Sequence, residues 1–522
     1  MHMMFKKQLA LVFILLFSPF FLLAQVITGV QIDSLVARTL KTFDVPGIAV
    51  GVIKDGQLIH AKGYGVRSLN SGLPVDEHTL FGIASNTKAF TAAALGMLAD
   101  EGKLTFDDKV TDYIPEFKMY DPYVTDAFTI RDLLTHRSGL GLGAGDLMFW
   151  PDSNNFSCKD IIHNLRYLKP VSGFRSKYDY DNLMYIVAGE IIQRVSGKSW
   201  EEFVETRMLQ PLGMTSTAPS YRQVKNKTNI IDPHAPVDGK VKVIRRDWSN
   251  VANAAGGIYT NLIDMSKWLI TVMDSGRYTA AGTRQLFSEA VHAELWTPHT
   301  NIPVRGQTAY KTHFSSYGLG WYLSDVYGLL QVTHTGGLAG IVTQVTLIPE
   351  LKLGIVVFTN QQSSAAFTAI TNTIKDSYLG VPPIDRVRQN HERVLASKAE
   401  AKKITEDIWS EIEAEQKKAT NLNLDLFTGT YNDNWFGDVS VSRKSGKLWF
   451  ESKRSYLLKG DLVPYKGNTF IVKWVDRSMD ADAFVQFGLD KEGNAATLKL
   501  NAISPLTDFS FDFQDLDFTR VK

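Results

Sequence analysis

The chain has a single cysteine, Cys158, among its 522 residues. One thiol excludes an intrachain disulfide framework and a zinc site built from several cysteines. Its surroundings, SNNFSCKD, are polar and hold no histidine to lower its pKa, so a catalytic thiol is not expected either. Net charge is nearly absent too: +1 overall removes any bulk electrostatic case for nucleic acid. No internal repeat or low-complexity tract is present. No second ligand stands at metal spacing from His334, so neither a metal nor another cofactor is expected. Long hydrophobic runs are confined to one place. After the basic start Met1 to Lys7 comes LALVFILLFSPFFLLA, broken by Pro19 and ending at Ala24 before the polar Gln25. This is the pattern of an export signal cut after Ala24, leaving no stable membrane span and a periplasmic or secreted product. No cysteine lies near Ala24 to carry a lipid.

What is there is soluble in character, with 44% apolar and 21% charged residues, and too long for one ordinary core. The reading divides it into a signal at 1–24, a main domain at 25–385, a charged helical linker at 386–421 and an all-β unit at 422–522. After the signal a helix, ITGVQIDSLVARTLKTF, precedes VPGIAVGVIKDGQLIHAKGYGV, whose apolar residues alternate on both sides of Lys54-Asp55-Gly56 as in a β-hairpin. Helical patterns follow to about Leu269, among them NLMYIVAGEIIQRVSG from Asn182 to a stop at Gly197. Strand patterns then return in YGLGWYLS, GLLQVTHTGG, IVTQVTLIPE and KLGIVVFTN. The expected fold is therefore α+β: a mixed antiparallel sheet assembled from the two ends of the domain and flanked by helices. The stretch beginning RVRQNHERVLASKAEAKK reads as a helix with a solvated face. The short alternating runs beyond Asn421 read as a small barrel or sandwich.

Three motifs carry chemistry. In FGIASNTKAFTAAALGMLADEG, Ser85 opens a helical pattern that closes at Gly102, and Lys88 lies three residues on, on the same face. A serine hydroxyl needs a base within reach, and a desolvated lysine can be one. The helix N-terminus also suits the negative charge that develops on an attacked carbonyl oxygen. Alone, this pair is also what an ordinary serine cap with a solvated lysine looks like. Tyr180-Asp181-Asn182 opens an amphipathic helix and offers a second proton carrier with an amide for the substrate. His334-Thr335-Gly336-Gly337 ends a strand whose small residues would let a substrate backbone lie along it. A second Tyr-x-Asn, Tyr259-Thr260-Asn261, is better explained by Asn261 capping a helix with Asp264 in its first turn. His136 in LLTHRSGL reads as a buried structural histidine.

The order S-x-x-K, Y-x-N, H-T-G resembles the serine β-lactamase and penicillin-binding-protein superfamily, in particular the class C-like DD-carboxypeptidase group known as S12 peptidases. LLTHRSGL, PLGM, AAGGIYTNLIDMSKWL and HTGGLAGI carry the same resemblance, which covers about Ile32 to Gly380. The tail is similar to the lipocalin-like domains of some members. The resemblance implies Ser85 as the acylated nucleophile and Lys88 as its base or proton shuttle. It implies Tyr180 acting on the leaving group and the deacylating water. Asn182, His334, Thr335 and Gly336 would bind substrate, and the backbone N–H groups of Ser85 and Gly337 would form the oxyanion hole. Which of Lys88 and Tyr180 takes the first proton stays open, because they titrate as a coupled pair. Many β-lactamases of the superfamily carry lysine where this chain has His334, and a neutral histidine gives a drug carboxylate no fixed cation. Nor is there an equivalent of the acidic deacylating residue of class A enzymes. The expectation is an exported serine hydrolase of amides or esters: a DD-carboxypeptidase, D-amino-acid peptidase or esterase. The alternatives are a β-lactamase or a non-catalytic receptor for penicillin or peptidoglycan peptide. The substrate would be a small molecule or peptide, and oligomerisation is open.

Overall fold

The computed structural model describes residues 26–246, 249–278, 284–306, 308–416 and 422–521. The expected signal segment and its cut after Ala24 lie outside them. Helix α1 (Gly29–Phe43) starts at a capping box in which Thr28 accepts from the Gln31 amide and the Gln31 side chain accepts from the Thr28 amide. Strands β1 (Gly47–Lys54) and β2 (Gln57–Gly65) follow. Their two-residue turn has Asp55 at φ 52° and Gly56 at φ 76°, the left-handed pair that matches the twist of a tight hairpin. β1 is buried on both faces while β2 is largely half-exposed, as expected of a central strand and its edge neighbour.

The hydrophobic run from Phe81 forms the short strand β3 (Phe81–Gly82), paired with β4 (Tyr259–Thr260). Helix α2 (Lys88–Asp100) comes next and is buried all round from Lys88 to Leu98, the signature of a helix inside a core rather than on its surface. Helix α3 (Leu183–Ser196) ends at Gly197, φ 72°, where the glycine stop was expected. Helix α4 (Leu262–Met273) is capped by Asn261, whose side chain accepts from the Asp264 amide at 2.9 Å.

Strands β5 (Thr300–Asn301), β6 (Ser315–Tyr317), β7 (Tyr322–Val326), β8 (Leu329–Leu338), β9 (Ile341–Ile348) and β10 (Leu353–Thr359) complete the main sheet. Its order is β2-β1-β10-β9-β8-β7-β6-β5, and every pairing is antiparallel. The β1–β10 ladder, Ile48 opposite Thr359 through Lys54 opposite Leu353, joins the N-terminal hairpin to the C-terminal strands. One face packs on α1 and α5 (Ser364–Tyr378) through Leu35, Val36, Ile355, Val357, Ile370 and Ile374. The other packs on α4, which lies over β1, β2 and β10, and α2 and α3 pack on each other beyond it.

Helix α6 (Arg386–Gln416) is the expected charged helix. It is mostly exposed, but its face is not wholly solvated: Ile412 is buried against Ile471 and Ile503 of the last domain. That domain is a closed barrel of eight antiparallel strands, β11 (Gly429–Asp433) to β18 (Phe518–Arg520). Among the described residues no helix is long and apolar enough to cross a membrane.

Candidate active site

Ser85 lies in a 3-10 turn, Ala84–Thr87, that runs directly into α2. The turn is held from several sides. Ala84 has φ 48°, a left-handed conformation that alanine rarely adopts and that the surrounding structure must impose. Asn86 donates to Thr343 Oγ1 at 2.8 Å, and Thr343 Oγ1 donates to the Ile83 carbonyl at 3.0 Å, so β9 pins the residues flanking the serine. A Cβ on Gly336 would stand 2.2 Å from the Ile83 oxygen. Glycine there lets β8 press against the serine turn, so Gly336 serves this close approach and does not line the cleft. Ser85 is half-buried, and its amide falls in the first turn, where helical N–H groups lack an intrahelical acceptor.

Lys88 is fully buried with Nζ 3.1 Å from Ser85 Oγ, 2.7 Å from Asn182 Oδ1 and 3.0 Å from the Ala255 carbonyl. Burial lowers its pKa from 10.5 to about 7, against the upward pull of Asp146 and Asp181. Asn182 donates from its Nδ2 to Asp146 Oδ2 at 2.8 Å, so its amide orients the lysine, and it also lines the cleft. Burial holds the Asp146 carboxyl well above the usual range and raises Asp181 to about 7.

Tyr180 is buried beside Lys88, whose Nζ stands 4.8 Å from its ring centre. Burial pushes the phenol well above its ordinary pKa of 10, while a hydrogen bond with Ser85 pulls it down. The tyrosine is thus a protonated donor at neutral pH. Behind it, His136 is fully buried, accepts from the Asp181 amide at 3.0 Å through Nδ1, and is surrounded by the rings of Tyr178, Tyr180, Tyr185 and Tyr317. It fills a structural position.

His334 lines the cleft but is 1% exposed, with Nε2 at 2.9 Å from the Tyr317 hydroxyl and Nδ1 at 2.6 Å from the Thr335 carbonyl. Burial lowers its pKa from 6.5 to about 3, so it is a neutral group. β8 pairs with β7 only as far as Thr333. Beyond that point its β7-side edge has no strand partner among the described residues, and Thr335 and Gly337 line the cleft. Apart from Gly337 itself and its chain neighbours, no described heavy atom lies within 4 Å of a Cβ built there, so the space over Gly337 is open, and it lines the cleft together with Ser85.

The cleft holds about 410 Å³ and is lined by both domains. The loop between the last two barrel strands brings Asp508, Phe509 and Ser510 into its wall. Ser510 Oγ donates to Asp146 Oδ2 at 2.8 Å, one bond from Asn182 and two from Lys88. Asp512 accepts from the Gly145 and Leu147 amides at 2.6 and 3.0 Å, and the Phe509 ring stands 5.9 Å from that of Tyr180. The barrel residues were not found from the sequence because they lie more than 300 positions from their partners, and Asp146 and Tyr317 because no local motif marks either as a partner of Asn182 or His334. Asp181, lying inside the Tyr-x-Asn motif, was the one with a usable signal. The other Tyr-x-Asn is accounted for by its strand and helix cap. Cys158 is half-buried, its thiol raised to about 12 by burial and 3.9 Å from Glu190. No cluster of three metal-ligating side chains occurs among the described residues.

Comparison with known proteins agrees with this geometry. A family model described as Beta-lactamase matches residues 32–379. The chain belongs to the beta-lactamase family. A model of a domain of unknown function matches residues 413–520, the barrel and the end of α6. Among relatives in the family, the Unguisins hydrolase ungD of Aspergillus violaceofuscus is 30% identical over 67% of this chain and 65% of its own. Protein flp of Staphylococcus aureus is 27% identical over 64% of this chain and 63% of its own. The matches thus span just under two thirds of either relative. The octameric penicillin-binding protein homologue from Pyrococcus abyssi superposes with a TM-score of 0.60 at 20% identity, over 95% of this chain and 100% of that one. SurE with D-Leu gives 0.53 at 18%, over 94% and 98%. These two show the shared fold. One of these relatives is named a hydrolase.

Proposed function

We propose that the protein is an exported hydrolase that opens amides or esters through an acyl-enzyme on Ser85. The observation that carries the reading is the contact of Ser85 Oγ with a fully buried lysine amine at 3.1 Å whose pKa burial brings to about 7. A neutral Lys88 takes the Ser85 proton as Oγ bonds to the substrate carbonyl carbon. The oxyanion that forms meets the open backbone at Ser85 and Gly337. As the carbonyl reforms, the C–N or C–O bond breaks and the leaving group takes a proton from Tyr180, which is replenished from Lys88. Water then attacks the acyl carbon, gives up its proton to the same pair, and Ser85 Oγ leaves with a proton restored.

Two features support a peptide or ester substrate over a β-lactam or a peptide gripped by its terminal carboxylate. His334 is neutral, and no lysine or arginine is found among the described residues lining the cleft. A D-amino-acid peptidase or esterase therefore fits better than a carboxypeptidase or β-lactamase. One relative is named a hydrolase, and SurE, which shares the fold, has been solved with D-Leu. Turnover of p-nitrophenyl butyrate, D- and L-amino-acid amides and benzylpenicillin by wild type and Ser85→Ala tests the proposal. Serine-dependent turnover of ester or D-amide, exceeding that of penicillin, is expected. Turnover that survives Ser85→Ala refutes it.

A further inference from the structure

The charges around the cleft are one-sided. Its described lining holds two carboxylates, Asp152 and Asp508, and no cationic side chain. Asp152 is opposed by Arg245 at 3.8 Å. Among the described residues Asp508 has no ion-pair partner, and one of its oxygens accepts from the Ser510 amide at 2.9 Å. It is open to the solvent of the cleft yet ringed by protein, and that crowding raises its pKa, the expected response of a carboxylate in a concave apolar setting without a counter-charge.

Asp508 also stands where two cavities meet. A second space of about 280 Å³ shares Trp150, Gly337, Leu338 and Asp508 with the first, and its other charged lining residues are Arg245, Asp476 and Asp480. The wall of the first cavity carries eight aromatic side chains, among them Phe149, Trp150 and Phe509. Aromatic faces attract a cation and contribute nothing comparable to an anion. A ligand running from Ser85 along the open end of β8 therefore meets aromatic faces and then an unpaired carboxylate.

We propose that the substrate carries a primary ammonium and that Asp508, delivered by the barrel, is the residue that holds it. The inference rests on the hydrolase reading and names its substrate class: amino-acid or peptide amides and esters with a free amine. Asp508 is then a specificity residue, and the barrel supplies part of the binding site.

The test is inhibition of p-nitrophenyl butyrate turnover by D-phenylalaninamide and by its N-acetyl derivative, in wild type, Asp508→Asn and Asp508→Glu. A charge-assisted hydrogen bond to the ammonium makes the free amine bind roughly 10- to 100-fold more tightly than the acetylated form. That preference falls to near unity in Asp508→Asn and is partly regained in Asp508→Glu. Equal or tighter binding of the acetylated form to wild type overturns the proposal, as does a preference unchanged by Asp508→Asn. Because the wild-type comparison needs no variant, poor folding of either variant does not protect it. Absence of Ser85-dependent butyrate turnover overturns the hydrolase reading and this inference with it, whereas turnover without amine preference removes this inference alone.

Discussion

Lys88 offers a prediction whose size follows from its surroundings. An ordinary lysine, with a pKa of 10.5, is neutral in only about 0.03% of molecules at pH 7, whereas a pKa of about 7 leaves about half of them neutral. The rate that depends on a neutral amine should thus be on the order of 10³-fold higher at pH 7 than an exposed lysine would allow. Measured as kcat/KM for p-nitrophenyl butyrate between pH 5 and 10, activity rises with pH and its midpoint lies near 7. Asp181→Asn moves that midpoint lower, since it removes an anion that favours the protonated lysine. The same burial has a consequence for stability. The native chain binds fewer protons than the unfolded chain between about pH 7 and 10.5, so stability increases with pH across that window. Below it both states are protonated, and the native state carries a penalty of about 5 kcal/mol at 1.36 kcal/mol per pH unit. Lys88→Met removes the penalty. The hydrogen bonds it also removes do not titrate, so they offset the gain by a constant. In urea unfolding, the stability of the variant relative to wild type should fall by about 1.4 kcal/mol per pH unit above pH 7. A difference independent of pH, or a rate midpoint near 10, would refute the reasoning.

Three further outcomes follow from the packing. Gly336→Ala forces a methyl group into the Ile83 carbonyl; it should cost about 1–3 kcal/mol in urea unfolding and lower kcat more than KM, because it moves the turn that carries Ser85. Asp512→Ala leaves the buried Gly145 and Leu147 amides without their acceptor; a loss of about 1–3 kcal/mol for each orphaned donor is expected, with a raised KM as the barrel loop loosens from the cleft. His334, with its pKa lowered to about 3 by burial, should stay neutral from pH 4 to 8, so its ¹³Cε1 resonance should not titrate in that range; an inflection near 6.5 would show that it is an exposed, ordinary histidine.

Much of this architecture is legible in the sequence because the deciding signals are local. The turn at Asp55-Gly56, the glycine stop at Gly197 and the mostly apolar strands β1 and β10 each report a short-range constraint. The same is true of Ser85 and Lys88, which one helical turn brings together. The main departure in the fold lies in α6, where a charged composition hid the contact of Ile412 with the barrel. At the site, residue types alone left Asn182 and His334 facing substrate. The structure keeps both in the cleft wall and adds partners the sequence did not show, Lys88 and Asp146 for Asn182 and Tyr317 for His334. The chain from Ser510 through Asp146 to Lys88 joins residues hundreds of positions apart, and only the folded barrel places them together.

The account turns on Ser85 being the nucleophile that Lys88 activates. Its most direct test is intact-mass spectrometry with peptide mapping after brief exposure to a p-nitrophenyl phosphonate ester, using wild type, Ser85→Ala and Lys88→Met. A single adduct on Ser85 is expected, absent from Ser85→Ala and formed roughly 10²- to 10⁴-fold more slowly in Lys88→Met. Label on another residue, or labelling of Ser85 at an undiminished rate without the lysine, would contradict it.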